Sequence, residues 1–485
     1  MSNTQAPHNE IIKWSAKELS KQIHQKKVSC REVLSAYLAQ VDKVNPTLNA
    51  IVSRPDSEKL LAQADEKDAL LAKGESMGWM HGFPMAPKDL SNTKEITTTQ
   101  GSLALKDNLP AADGLMVERM RKSGAIFIGK TNTPEFGFGS QTYNKVFGVT
   151  RNAYDPSKIA GGSSGGAAVA LASHMLPVAD GSDMMGSLRN PAAYNNIFGF
   201  RPSQGRVPIY PSADVFTQQL GYEGPMGRNV EDLAMLLSIQ AGWDARTPLA
   251  IYEDPAQFTE PLQMELKGKK IGWLGDWEGY LAMEDGILDL CHQALGMLGS
   301  QGCEIEHTRP DYSPYKIWDT WLILRQFQSA TNLRPLYDQP AKRELLKPEV
   351  IWEVENGLRR SNQEIGQAMN DRTALYQASL SLFEKYDYLA VPSAQCFPFD
   401  VETHWPKEVA GRPMDTYHRW MEIVIFASLL GCPVISVPVG FSKEGLPMGM
   451  QIIGRPHQDL SVLQIAYEYD QISQWGEKHK SPFGV

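Results

Sequence analysis

Residues 159–192 read IAGGSSGGAAVALASHMLPVADGSDMMGSLRNPA: two glycine-flanked serine clusters on either side of an Ala-rich stretch expected to be helical from Ala167 to His174. The first cluster, Gly161 to Gly166, has too little side-chain bulk to be a core element. Glycine at that density lets backbone approach a ligand closely or adopt positive φ. The second cluster, Gly181-Ser182-Asp183-Met184-Met185-Gly186-Ser187, strings backbone N–H groups ahead of a serine. An oxyanion hole needs such donors, aimed at one point with no side chain between. Ser187 is therefore a candidate nucleophile, and since a serine alkoxide is a poor species at neutral pH it needs a base. His174 is the one histidine nearby, but it sits on an apolar helical stretch, where a structural role is expected. A lysine can serve when burial makes its neutral form accessible. Lys88 follows the apolar turn GFPMAP and precedes Asp89-Leu90, where a buried lysine would be costly without a role.

Outward from this stretch, the first 75 residues read as a helical cover packed on a core. Ser15 with Glu18 and Ser29 with Glu32 fit capping boxes. Val33, Leu34, Tyr37, Leu38 and Val41 then recur at helical spacing. A third helix is expected from Ser57 to Lys73, stopped by Gly74. Leu115 to Lys122 reads as a helix and Ala125 to Ile128 as a short buried strand. Further apolar runs lie at Ile271 to Leu274, Tyr388 to Val391, Val434 to Val437 and Met448 to Ile453, the last two joined by the polar turn FSKEG as a hairpin. Strands mixed with helices and one hairpin indicate an α/β protein with a mixed sheet. The charged stretch from about 329 to 362 is a candidate insertion near a substrate entrance. Residues 317–329 and 419–427, apolar with some Trp and Arg, are candidates to line a substrate pocket.

The net charge of −9 leaves no basic excess to neutralise phosphates, so no nucleic-acid partner is expected. The five cysteines form no C-x-x-C pair, and the ten histidines show no H-x-x-x-H or H-E-x-x-H spacing. Neither a metal site nor a disulfide framework is expected, and no cofactor. The polar start MSNTQAPHNE and the lack of a long apolar run give no signal peptide and no membrane partner, so a cytoplasmic protein is expected.

The chain resembles the amidase signature family of serine hydrolases. The resemblance is carried by the P-K-D at Lys88, by G-G-S-S-G-G around Ser163 and by D-M-M-G-S-L-R-N-P-A around Ser187. It extends to GKTNTPEF at 129–136, to Thr150 through Pro156, and to GLPMGMQIIGRP, so that it runs from about Gly82 to Pro456. It implies one large α/β/α domain over residues 1–485 and hydrolysis of a small-molecule carboxylic amide. Ser187 would attack the carbonyl, Ser163, on a cis peptide, would relay the proton, and neutral Lys88 would accept it. The oxyanion would lie against the N–H groups of Met184, Met185 and Gly186, with that of Ser187 a further candidate, and with Asp183, Arg189 and Ser164 in supporting positions. Two substrate-contacting positions are implied, Gly137, which offers no side chain, and Met185, which stands where the family usually has glycine. Met185 should then either be strained at positive φ or line the acyl pocket. A homodimer is left open.

Three other readings compete. Gly124-AIFI-Gly129-Lys130-Thr131 satisfies the P-loop pattern of nucleotidases, although its middle reads as a strand and Asn-Thr-Pro is a poor helix start. Gly162-Ser163-Ser164-Gly165-Gly166 satisfies G-x-S-x-G, which would make Ser164 the nucleophile, but no convincing strand precedes it. The third keeps the family and makes the chain the glutamine-hydrolysing subunit of a tRNA-dependent amidotransferase. Met185 and the segment from Trp318 to Gln328 favour a free-standing amidase.

Overall fold

The apolar runs at 388–391, 434–437 and 448–453 become the centre of an eight-stranded sheet. In chain order its strands are β1 (Ala179–Asp183), β2 (Phe198–Arg201), β3 (Tyr222–Gly227), β4 (Lys270–Trp273), β5 (Glu304–His307), β6 (Tyr388–Pro392), β7 (Val434–Phe441) and β8 (Pro447–Gly454), and their spatial order is β5-β4-β6-β8-β7-β2-β3-β1. β4 runs parallel to β5 and β6, and every other pairing is antiparallel, so the sheet is mixed. The β7–β8 hairpin forms through the expected FSKEG turn. The computed structural model describes residues 8–217 and 220–485; most of the polar N-terminal stretch lies outside the described residues.

Helices cover both faces. They are α1 (Ala16–His24), α2 (Cys30–Leu48), α3 (Ser57–Ala72), α4 (Gly165–Ala172), α5 (Arg189–Tyr194), α6 (Val230–Gln240), α7 (Ile287–Ser300), α8 (Pro314–Tyr337), α9 (Pro348–Arg359), α10 (Asn362–Lys385) and α11 (Asp459–Ser473). Strand periodicity separates the two layers. A Cβ on Gly449 would meet Ala193 of α5 at 2.8 Å, and one on Gly454 would meet Val462 of α11 at 2.2 Å. Those two glycines are an odd number of residues apart on β8 and point to opposite faces.

The N-terminal cover follows the sequence reading. The capping box of Ser29 and Glu32 is complete, and Val33, Leu34, Tyr37, Leu38 and Val41 are all buried. Each such side chain contributes about 1.5–3 kcal/mol of burial. At Ser15 only half of the box forms: Ser15 Oγ accepts from Glu18 N, while the Glu18 carboxylate pairs with Lys21 and Gln22. Buried Asp232 of α6 replaces it, accepting the N–H groups of Ala16 at 2.7 Å and Lys17 at 2.9 Å.

α4 is buried along its whole length. A Cβ on Gly165 would lie 2.2 Å from Thr142 Oγ1, and one on Gly166 would lie 2.3 Å from Asn132 N. These two glycines therefore permit close packing against the protein itself rather than against a ligand. The stretch from 329 to 362 is largely helical, formed by the end of α8, by residues 340–343 and by α9.

Candidate active site

Lys88 leaves the short strand Pro84–Met85 and bridges in parallel to Thr131. Its backbone N–H donates to Asp180 Oδ2 at 3.0 Å, fixing the residue against β1. The side chain is fully buried, and its Nζ meets three hydroxyls: Ser163 Oγ at 2.7 Å, Ser164 Oγ at 2.9 Å and Ser182 Oγ at 3.0 Å. Burial pulls the ammonium down to about 7, against the opposing charges of Asp180, Asp183 and Glu223. A substantial fraction of this lysine is therefore neutral near pH 7.

The peptide bond between Gly162 and Ser163 is cis. Ser163 and Ser187, 2% and 7% exposed, open onto one cavity of about 400 Å³. Its wall also includes Leu90, Gly137, Phe138, Ser182, Met184 and Glu223. The two serine loops are tied together by the Ser164 N–H, which donates to Ser187 O at 3.2 Å. Ser164 itself caps α4, is fully buried and does not reach the cavity wall; no strand runs into it. That is not the exposed serine on a strand-to-helix turn that the elbow pattern needs.

Asp183 and Arg189 hold the loop before Ser187. Arg189 Nε and Nη2 each donate to the Asp183 carboxylate at 2.9 Å, with both side chains fully buried. Burial alone would raise the Asp183 carboxyl, but the charge and hydrogen bonds of Arg189, with Arg201 behind, hold it well below the ordinary range. The same carboxylate accepts the N–H groups of Gly186 at 2.9 Å and Leu188 at 3.1 Å. Of the three expected oxyanion donors, Gly186 is thus already engaged. The N–H groups of Met184, Met185 and Ser187 carry no hydrogen bond among the described residues.

The expectation for Met185 requires correction. The residue has no positive φ, and its side chain, 4% exposed, belongs to the main hydrophobic core. The left-handed position of this turn is Gly186, at φ +82°, where a Cβ would meet Val424 at 3.0 Å. Because Gly186 absorbs the turn, Met185 packs inward, and the methionine at the cavity is Met184. Gly137 does line the cavity: at φ +75°, a Cβ there would lie 3.0 Å from Leu90 Cδ1 and 3.3 Å from Ser163 Oγ. α8 contributes Arg325, Gln328, Ser329, Asn332 and Leu333 to the wall, the last three from the candidate insertion. Residues 419–427 line none of it and are core instead.

Sequence reasoning missed Ser182, Asp180 and Glu223. Ser182 lies in the quoted cluster, but only the sheet register turns its hydroxyl toward Lys88. His174, as expected, is structural: Nδ1 lies 2.9 Å from Ile12 O, and burial pulls the ring down to about 3. The P-loop match fails, since Ile126–Phe127 and Lys130–Thr131 are strands and the buried Lys130 Nζ donates to Ser91 O and Thr93 Oγ1. Among the described residues no group of three or more His, Cys, Asp or Glu could hold a metal, and no helix is long and apolar enough to cross a membrane.

A mixed sheet between helical layers, with a buried lysine on serine hydroxyls at a cavity wall, is the arrangement of an amidase-type hydrolase. The chain belongs to the amidase signature family: the family model described as Amidase matches residues 32–463. It is 31% identical to an acylamidase of Rhodococcus erythropolis, over 96% of this chain and 97% of that one. It is also 31% identical to a glutamyl-tRNA(Gln) amidotransferase subunit of Sulfurihydrogenibium sp., over 97% of this chain and 99% of that one. Among solved structures, a bacterial aryl acylamidase of the amidase signature family superposes with a TM-score of 0.90 at 29% identity, covering 97% of this chain and 99% of that one.

Proposed function

We propose that this chain is a free-standing amidase that cleaves the C–N bond of a small carboxylic amide through an acyl-enzyme on Ser187. The observation that carries the reading is the buried Lys88 amine 2.7 Å from the hydroxyl of Ser163, on the wall of the cavity that also holds Ser187. In this reading Ser187 Oγ bonds to the carbonyl carbon, and its proton passes through Ser163 to neutral Lys88. The oxyanion is held by the N–H groups of Met184, Met185 and Ser187, the unengaged donors of the loop. The C–N bond then breaks as the relay returns the proton to the departing nitrogen, and water cleaves the ester to release the acid and free Ser187. Ser164 and Ser182 hold the lysine in place, while Asp183 and Arg189 fix the loop.

The test is an amide panel on the protein purified alone, beside Ser187→Ala. Turnover by the chain alone, lost in Ser187→Ala with the fold intact, is the expected result. Turnover that survives in Ser187→Ala overturns the assignment. The second reading, a glutamine-hydrolysing subunit that needs partners, is favoured by the 31% identity to the amidotransferase relative. It predicts glutamine as the one amide cleaved, and cleavage only with partner subunits added.

A further inference from the structure

Glu223 is a carboxyl on the cavity wall that the proton relay does not use. In the antiparallel pair of β1 with β3 it stands directly opposite Ser182. Such partners share a sheet face with Cβ atoms about 5 Å apart. Since Ser182 Oγ is 3.0 Å from Lys88 Nζ, the carboxyl stands beside the base. Glu223, Ser163 and Ser187 all line the same cavity. The Glu223 carboxyl receives one hydrogen bond, from Ser91 Oγ to Oε1 at 2.9 Å; Oε2 has no partner among the described residues.

The other charged groups on that wall are engaged. Asp183 holds Arg189, and Asp214 accepts the N–H groups of Phe216 and Thr217. Arg325 is fixed by Glu353 at 2.6 Å and by Tyr417 at 2.8 Å. Once Lys88 is neutral, as the relay requires, the groups acting on Glu223 include the buried ammonium of Lys130 and the carboxyl of Asp180. Asp89 adds a second buried carboxyl beside Lys130, so the cluster carries more acid than base. Burial lifts the Glu223 carboxyl to about 7, Asp180 pushes the same way, and a cation beside it would favour the ionised form.

We propose that Glu223 determines substrate choice: its carboxylate receives an ammonium group of the substrate, so the preferred substrates are amides that carry a protonated amine. This rests on the amidase reading above and adds a substrate class to it.

The experiment compares two matched amides, one with a primary ammonium and one with a hydroxyl in its place, at pH 8. There the ammonium beside it favours the ionised carboxyl, and an amine with an ordinary value of about 10 keeps its proton. The ratio of kcat/KM should favour the ammonium member by about tenfold or more, as a charge-assisted hydrogen bond allows, and should fall to about one in Glu223→Gln. A ratio unchanged in Glu223→Gln, including an equal loss for both amides, overturns the proposal.

A binding arm separates this from failure of the amidase reading. Calorimetry on Ser187→Ala should find benzylamine bound more tightly than benzyl alcohol, with the difference lost when Glu223→Gln is added. That preference without turnover of either amide by the unaltered protein would refute the hydrolase alone. Turnover of both amides with no preference would refute the role of Glu223 alone.

Discussion

Lys88 and Lys130 are both fully buried, and burial pulls the first down to about 7 and the second to about 8. They stand on adjoining segments, Lys88 bridging to Thr131 next to Lys130. What separates them is what each ammonium touches. Lys130 Nζ donates to the carbonyl of Ser91 and the hydroxyl of Thr93, and it does not reach the cavity. Lys88 Nζ meets three serine hydroxyls, two of which, Ser163 and Ser182, lie on the wall of the cavity that also holds Ser187. A hydroxyl accepts and donates and so can pass a proton on, but the Thr93 hydroxyl beside Lys130 donates to Ser91 O and lies off the cavity, whereas the Ser163 hydroxyl beside Lys88 lines it. Burial sets how readily a lysine gives up its proton, and the partners decide whether that proton can travel.

The largest effect should come from exchanging each lysine for methionine. Lys88→Met should lower kcat by about 10⁴-fold with the fold retained, the scale of losing a base that acts in both half-reactions. Lys130→Met should instead lower stability by about 3–5 kcal/mol, because Asp89 loses the buried positive charge beside it. Denaturant unfolding beside steady-state rates separates the two outcomes, and an equal rate loss in both variants would erase the distinction.

A smaller contrast tests the hydroxyls themselves. Ser163→Ala should cost about 10³-fold in kcat, while Ser164→Ala, whose hydroxyl touches the same amine without reaching the cavity, should cost no more than about tenfold. The opposite order would restore the elbow reading. Because the base acts when neutral, kcat/KM should rise with pH through the value of Lys88, about 7, and at pH 5 should lie about 100-fold below its plateau. A profile flat from pH 5 to 9 would remove Lys88 from the rate-determining chemistry. The smallest effect is expected at Gly137→Ala, whose Cβ would press on Leu90 and Ser163 at a left-handed backbone position. A loss of about tenfold in kcat, with a stability loss of about 1 kcal/mol or more from alanine at positive φ, is the expected result.

The signals that survived from sequence to structure were local. The runs at 388–391, 434–437 and 448–453 carry apolar, strand-forming residues, and they became the sheet's centre. Lys88, Ser163 and Ser187 were singled out by the glycine-serine clusters and by the resemblance to the amidase signature family, and the structure brings Lys88 to Ser163 and sets Ser163 and Ser187 on one cavity. The strand Ala179–Asp183 was not legible: ADGSD has no apolar alternation, and pairing with Tyr222–Gly227 makes it a strand. Strand propensity yields to tertiary context in this way. Ser182 and Glu223 stayed hidden for the same reason, since their meeting depends on a register between segments far apart in sequence. Met184 and Met185 show the limit at the smallest scale. Which of two adjacent methionines faces the cavity was fixed by the left-handed turn at Gly186, a property of backbone path rather than composition.

The most direct measurement is the rate at which a fluorophosphonate modifies the protein between pH 5 and 9, in the unaltered chain and in Lys88→Met, with the modified residue mapped by mass spectrometry. The account predicts modification at Ser187, a rate that rises through about pH 7, and a Lys88→Met rate lower by about 10³-fold and flat across the range. Modification at another serine, or an undiminished rate in Lys88→Met, would contradict it.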